Sequence, residues 1–162
     1  MSPQGKYFID GMDFWTIFNV FVESGSDDLL KYASRKVSIT RDWADANGLD
    51  VDTSQVFFNA REISLKCSIV TDTPEDFWIM HKAFIAQWTL PGLHRLQVGE
   101  FGMRSYYCIY NDCSVFQSFT SKREGTGFKV ACKFTLNITE LEPSLSARDV
   151  FIVDHDGKFL IM

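Results

Sequence analysis

The segment Arg61-Glu-Ile-Ser-Leu-Lys-Cys-Ser-Ile-Val70, followed by Thr73-Pro-Glu-Asp76, Leu90-Pro-Gly-Leu93 and Leu96-Gln-Val98, decides the fold class. Its first part alternates apolar and polar residues, the signature of a half-buried strand: Ile63, Leu65, Cys67 and Ile69 share one face, and Glu62, Ser64, Lys66 and Ser68 the other. Thr73 then supplies an N-cap, Pro74 suits the first helical position, and Glu75 and Asp76 complement the helix dipole. Phe77, Met80, Phe84, Ile85 and Trp88 recur at helical spacing, so a helix over about 74–90 lays an apolar stripe against a sheet. Pro91 and Gly92 end it, and extended structure resumes. One helix set between strands predicts a mainly β domain with one flanking α-helix, a small α+β fold.

Working outward, residues 7–10 read as a short strand before a turn at Gly11, and the aromatic, β-branched run 13–23 reads as a strand. Ser26 is placed to cap a short helical turn over 27–32. Arg35-Lys-Val-Ser-Ile-Thr40 alternates as a strand does, and the polar stretch 41–54 reads as an exposed loop of a length often tied to function. The extended run over 56–70 hinges at Asn59-Ala60, and adjacent Phe57 and Phe58 point to opposite faces, which leaves one of them for solvent or a partner. Further strands are expected at 93–98, 105–110 and 113–121, with a hairpin turn at Asn111-Asp112 and a loop over 122–127. The strand 128–139 places Val130, Cys132, Phe134, Leu136 and Ile138 on one face. The body is thus a β-sandwich over 1–142. Residues 143–162 form a linker and a C-terminal β-hairpin extension, and such a hairpin needs a sheet edge on its own subunit or a neighbour.

Composition narrows function. In 162 residues, 46% hydrophobic and 15% aromatic content fills one core and excludes a disordered chain. A formal charge of −5 with scattered Lys and Arg argues against a nucleic-acid binder. No run is long enough to span a bilayer, the N-terminus carries no signal pattern, and Cys67, Cys108, Cys113 and Cys132 are expected as reduced thiols. Asn137-Ile-Thr139 matches a glycosylation sequon inside a strand-like run. Cys108 and Cys113 with His81 and His94 lack zinc-site spacing, and no base marks a cysteine nucleophile. Asp45-Ala-Asn-Gly-Leu-Asp50-Val-Asp52 misses the EF-hand ligand pattern, and Gly125-Thr-Gly127 lacks the Walker lysine. Glu140 and Glu142 at a strand end suit a soluble edge better than acid–base chemistry. No catalytic residue, metal, cofactor or small-molecule substrate is expected.

The order of elements resembles the tail-tube and distal tail protein families of bacteriophages over about residues 6–142. The resemblance rests on Ile9-Asp-Gly-Met-Asp13 before a strand, and on Arg35-Lys36 leading through Asp42-Trp43 to a loop with Gly48. Arg61-Glu-Ile-Ser-Leu then precedes the helix Asp76-Phe-Trp-Ile-Met-His-Lys-Ala-Phe, the Leu90-Pro-Gly-Leu-His-Arg-Leu96 connection leads to Tyr106-Tyr107, and Phe128-Lys-Val-Ala-Cys-Lys-Phe-Thr-Leu closes the match. The resemblance implies a β-sandwich of tail-tube type whose subunits form a ring, usually hexameric, around a channel for passing DNA. It implies a structural protein of the virion tail, in the host cytoplasm before assembly, whose partners are itself and other tail proteins. Larger members carry a second, carbohydrate-binding-like domain, whereas this chain ends soon after the first, so a ring or hub role is expected over receptor binding. The long loop and the hairpin are the expected contacts, through Trp43, Leu49, Val51, Phe151, Val153, Phe159 and Ile161. The alternative is a β-sandwich module that binds a small ligand or glycan.

Overall fold

In the computed structural model of the chain, residues 3–45, 47–124, 127–143, 152–153 and 159–160 are described, with the backbone alone at 115–124, 127–129, 152–153 and 159–160. In chain order the elements are β1 (Tyr7–Ile9), β2 (Met12–Asp13), α1 (Phe14–Phe18), β3 (Val20–Ser24), α2 (Asp27–Leu30), β4 (Thr40–Arg41), β5 (Asp50–Val51) and β6 (Arg61–Thr71). Then come α3 (Pro74–Trp88), β7 (His94–Val98), a 3-10 turn, β8 (Arg104–Glu124), β9 (Gly127–Glu140), β10 (Ile152–Val153) and β11 (Phe159–Leu160). Seven strands form one antiparallel sheet in the order β2-β1-β7-β8-β9-β6-β3. β6 and β9 pair without interruption from Arg61↔Glu140 to Thr71↔Val130. Ile63, Leu65, Cys67 and Ile69 of β6 and Val130, Cys132, Phe134, Leu136 and Ile138 of β9 are all buried.

The sheet turns back on itself. Tyr7 near one end of the strand order and Val20, Phe21 and Val22 at the other line a common groove, and the Tyr7 hydroxyl hydrogen-bonds Ser26 Oγ. Helix α1 contacts both β1 and β3 across this seam. The mainly β fold is therefore one continuous sheet curled around a single core without closing, with α3 as the flanking helix. Thr73 Oγ1 accepts the Asp76 amide at 3.1 Å, the expected cap. Phe77, Phe84 and Trp88 are buried, and Phe84 meets Phe14 and Phe134 edge-on at centroid distances of 5.1 and 5.9 Å.

Four expectations are corrected. Residues 13–23 do not form one strand, because Asp13 caps a helix: its carboxylate accepts from Thr16 Oγ1 at 2.6 Å and from the Trp15 amide at 3.3 Å. Asn19, left-handed at φ 54°, ends α1 before β3 begins. Ser26 makes no cap, since its hydroxyl is bound to Tyr7. Asn111-Asp112 is no turn: β8 runs through it with a register shift, and Asn111 Nδ2 donates across to Thr139 Oγ1 at 2.6 Å. The expected loop over 122–127 is mostly strand, with pairing as far as Glu124↔Gly127.

Asp10 and Gly11, both at positive φ, make the tight turn between β1 and β2. Asp10 also joins three elements. It accepts from the Arg95 amide at 2.8 Å and Gln87 Nε2 at 2.9 Å, and lies 2.9 Å from His94 Nδ1. Burial works to raise the Asp10 carboxyl, but the bonds from His94, Arg95 and Gln87 outweigh it and hold the group below the ordinary aspartate value. A carboxyl depressed in the fold stabilises above its unfolded pKa of about 3.9, and that contribution fades as pH falls through the folded value. Asp10→Asn should lower stability at pH 7 by about 1–2 kcal/mol. It should also flatten the acid limb of stability against pH, read by urea unfolding from neutral to strongly acidic pH. An unchanged acid limb would remove Asp10 from this role.

Candidate assembly surface

From residue 31 to residue 60 no described side chain is buried. This segment is a two-stranded arm that leaves the body after α2 and returns into β6. Its rungs are Asn59 N to Ser34 O at 2.9 Å, the Arg35↔Phe58 bridge, Lys36 N to Phe57 O at 2.8 Å, Asp52 N to Ile39 O at 3.1 Å, then Thr40↔Val51 and Arg41↔Asp50. Between the rungs at 36·57 and 39·52 the returning strand carries two extra residues, a bulge. The Arg35 guanidinium spans it, donating to Ser38 Oγ at 2.9 Å and facing the carbonyls of Asp52 and Gln55. The expected strand over 35–40 is thus an irregular ribbon, and the loop over 41–54 contains the short β4–β5 ladder.

At the tip Trp43 is 51% and Leu49 57% exposed, and Val51 is half-buried. Arg41 lies 6.0 Å from the Trp43 ring centroid. Val37 (93% exposed), Ile39 and Phe57 extend the apolar surface down the arm, so the expectation that one of Phe57 and Phe58 meets solvent holds for Phe57. So much uncovered apolar area in one ribbon makes the arm the candidate interaction surface. Val37 and Ile39 carry no sequence signal as contact residues, because an alternating run reads simply as a strand. The hairpin strands pair at Ile152↔Leu160 and Val153↔Phe159, and Phe151 and Ile161 lie outside the described residues, as does the linker over 144–149.

Arg61 anchors the arm. Its guanidinium donates to the carbonyls of Leu29 at 3.0 Å and Lys31 at 2.6 Å, where the arm departs, and pairs with Glu140 at the end of β9. It also lies 5.3 Å from the Tyr106 ring centroid. Glu140 is therefore a buried ion-pair partner and not an edge-solubilising residue. Sequence offers no signal for this clamp, because Arg61 reads as an ordinary strand-start charge.

The sheet has a second, polar face. Ser64 Oγ donates to Asn137 Oδ1 at 2.7 Å, Asn137 Nδ2 reaches Ser114 Oγ at 2.9 Å and also Asp112, and Ser68 Oγ donates to Glu23 at 2.6 Å. Lys133 pairs with Glu23 at 2.8 Å, and these bonds from Lys133 and Ser68 hold the Glu23 carboxyl below its usual value. At the seam lies an open groove of about 360 Å³, lined by Trp15, Phe21, Val22 and Lys6, whose ammonium pairs with Glu100 at 2.6 Å. A second hollow of about 260 Å³, on the other side of Trp15, is lined by Asn19, Thr71, Asp72 and Asp76.

No group of metal-ligating side chains converges among the described residues. His94 is held by Asp10 and by the Leu90 carbonyl at 3.0 Å, and His81 stacks on Phe77 at 5.6 Å, so these two histidines are occupied within the fold. Burial pushes the Cys108 thiol up to about 12 and Cys113 up to about 11, and raises Cys67 and Cys132 as well. No helix among the described residues is long and apolar enough to cross a membrane.

Arg61 and Glu140 side chains are only 12% and 11% exposed, so removing one leaves the other charged and enclosed. Arg61→Ala should cost about 3–5 kcal/mol of unfolding free energy in urea. It should also speed amide exchange in the arm more than in the paired core of β6 and β9. A loss within about 0.5 kcal/mol would show that the clamp is not needed.

No family model matches the chain, and no curated protein matches it. Among solved structures it is similar to the Dit (gp 19.1) protein of phage SPP1, described as a paradigm of the hub adsorption apparatus in phages that infect Gram-positive hosts. The TM-score is 0.54 at 19% identity, over 85% of this chain and 50% of that one. The chain thus spans about half the length of the protein it resembles, and the likeness is one of fold.

Proposed function

We propose that this chain is a structural component of a phage or prophage tail that assembles with copies of itself into a ring, hexameric by the family resemblance, around a channel through which DNA passes. The observation that carries this reading is the arm: a clamped ribbon over residues 31–60 with no buried described side chain and with Trp43 and Leu49 uncovered at its tip. A monomeric protein gains nothing from ordering such a segment, since two strands alone are marginal in water. A neighbouring subunit supplies the missing contact. The fold shared with the SPP1 hub protein supports the same reading.

In this ring Trp43, Leu49 and Val51 of the arm and Phe151, Val153, Phe159 and Ile161 of the hairpin contact neighbours, helped by main-chain pairing at sheet edges. The polar sheet face suits the channel. Among its described side chains, Ser64, Asn137 and Ser114 are bonded to one another, Ser68 is bonded to Glu23, and Lys133 is neutralised by Glu23, so these groups offer a polyanion little to grip. Other tail proteins stack on the ring, in the virion tail and, before assembly, in the host cytoplasm. The activity is geometric and not catalytic.

Light scattering across a concentration series, with negative-stain images of the same samples, should show particles of about six subunit masses and ring outlines. Removing residues 42–52 together with 144–162 should abolish them. Oligomerisation that survives both deletions would refute the assignment of the contacts, and a single-subunit mass at every concentration would count against the ring itself.

A further inference from the structure

The arm tip carries a covalent weak point that the rest of the chain avoids. The asparagines are Asn19, Asn47, Asn59, Asn111 and Asn137, and of these only Asn47 is followed by glycine. Asn59 Nδ2 donates to Ser34 Oγ at 2.9 Å, Asn111 Nδ2 to Thr139 Oγ1 at 2.6 Å and Asn137 Nδ2 to Ser114 Oγ at 2.9 Å, so these carboxamides are tied down. Asn19 is half-buried, and the residue after it is the buried, β-branched Val20. Asn47 is exposed in the tip between β4 and β5. Neither its carboxamide nor the Gly48 amide has a hydrogen-bond partner among the described residues.

Gly48 removes the remaining obstacle. Its φ of 88° is a conformation that favours glycine, and nothing lies within 4 Å of where a β-carbon would stand. The backbone thus selects at this position the one residue whose amide nitrogen has no side chain to shield it. We infer that Asn47 is a site of spontaneous deamidation. The Gly48 amide nitrogen gives up its proton to solvent base and bonds to Asn47 Cγ, which closes a cyclic imide. The bond from Cγ to the side-chain nitrogen breaks, and that nitrogen leaves as ammonia. Water then opens the ring. Cleavage at Cγ leaves aspartate, and cleavage at the main-chain carbonyl leaves isoaspartate, with the chain running through the side chain. The balance is a water consumed, an ammonia released and a carboxylate gained, with no oxidant or reductant. The new charge falls among Asp42, Asp45, Asp50 and Asp52, with Arg41 the lone cation in the sequence from 41 to 52. It adds like-charge repulsion to the segment that carries Trp43 and Leu49. This inference goes beyond the ring reading and does not depend on it.

The test holds the full chain at physiological temperature, at neutral and at mildly alkaline pH, and follows it by anion exchange and by mass spectrometry of tryptic peptides. The peptide from Asp42 to Arg61 contains both Asn47 and Asn59, so one fragment spectrum compares them. More acidic species should accumulate with time, and faster at the alkaline pH, because the ring closes through a deprotonated amide. They should carry the nitrogen-for-oxygen exchange at Asn47 while Asn59 stays intact, and an isoaspartate methyltransferase should label the same peptide. Asn47→Gln, whose longer side chain closes the ring poorly, should abolish them. An Asn47 that stays intact, or that converts no faster than Asn59, would overturn the site. The same acidic species arising in Asn47→Gln would overturn it too.

Discussion

Side chains along a β-ladder alternate with a period of two, so a slip of one residue between β6 and β9 would turn Ile63, Leu65, Leu136 and Ile138 out of the core and bring Glu62, Ser64 and Asn137 into it. The uninterrupted register from Arg61↔Glu140 to Thr71↔Val130 forbids that slip. Everything else takes position from it. β3 adds to the free side of β6, β8 to the free side of β9, and α3 lies over the apolar face through Phe77, Phe84 and Trp88. The same register places Arg61 beside Glu140, which is how the central ladder comes to hold the arm.

The two faces of this ladder divide the labour. The apolar face is sealed by α1 and α3, while hydroxyl, amide and carboxylate groups on the other face satisfy one another. At the seam the sheet stops short of a closed barrel, leaving an open strand edge and an apolar slot. At the opposite extreme the arm stands clear of the body with its apolar residues uncovered. The open strand edge and the uncovered arm are two places where this fold leaves apolar surface and main-chain groups without a partner among the described residues.

Much of the fold was legible because its signals are local and redundant. β6, β9 and α3 each carry a full period-2 or period-3.6 pattern, and α3 adds a cap at Thr73 and a stop at Pro91-Gly92. The misread elements are those where one side chain overrules the pattern. Asp13 draws an aromatic, β-branched run into a helical turn by accepting from Trp15 and Thr16. Asn111 and Asp112 look like turn residues but bond sideways to β9. Of the candidate site, the exposure of Trp43 and Leu49 was legible, because they stand as isolated large apolar residues in a polar, acidic loop. The Arg61 clamp and the seam groove were not, since both depend on residues far apart in sequence: Leu29, Lys31 and Glu140 for the one, Tyr7 and Phe21 for the other.

The buried thiols bear on chemical durability. Cys67, Cys108 and Cys132 are enclosed, Cys113 is half enclosed, and burial raises the pKa of all four. A thiol that stays protonated at neutral pH is a poor nucleophile toward disulfides and a slow target for peroxide. The cysteines therefore serve as small apolar fillers, and the packing that encloses them also slows their thiol chemistry.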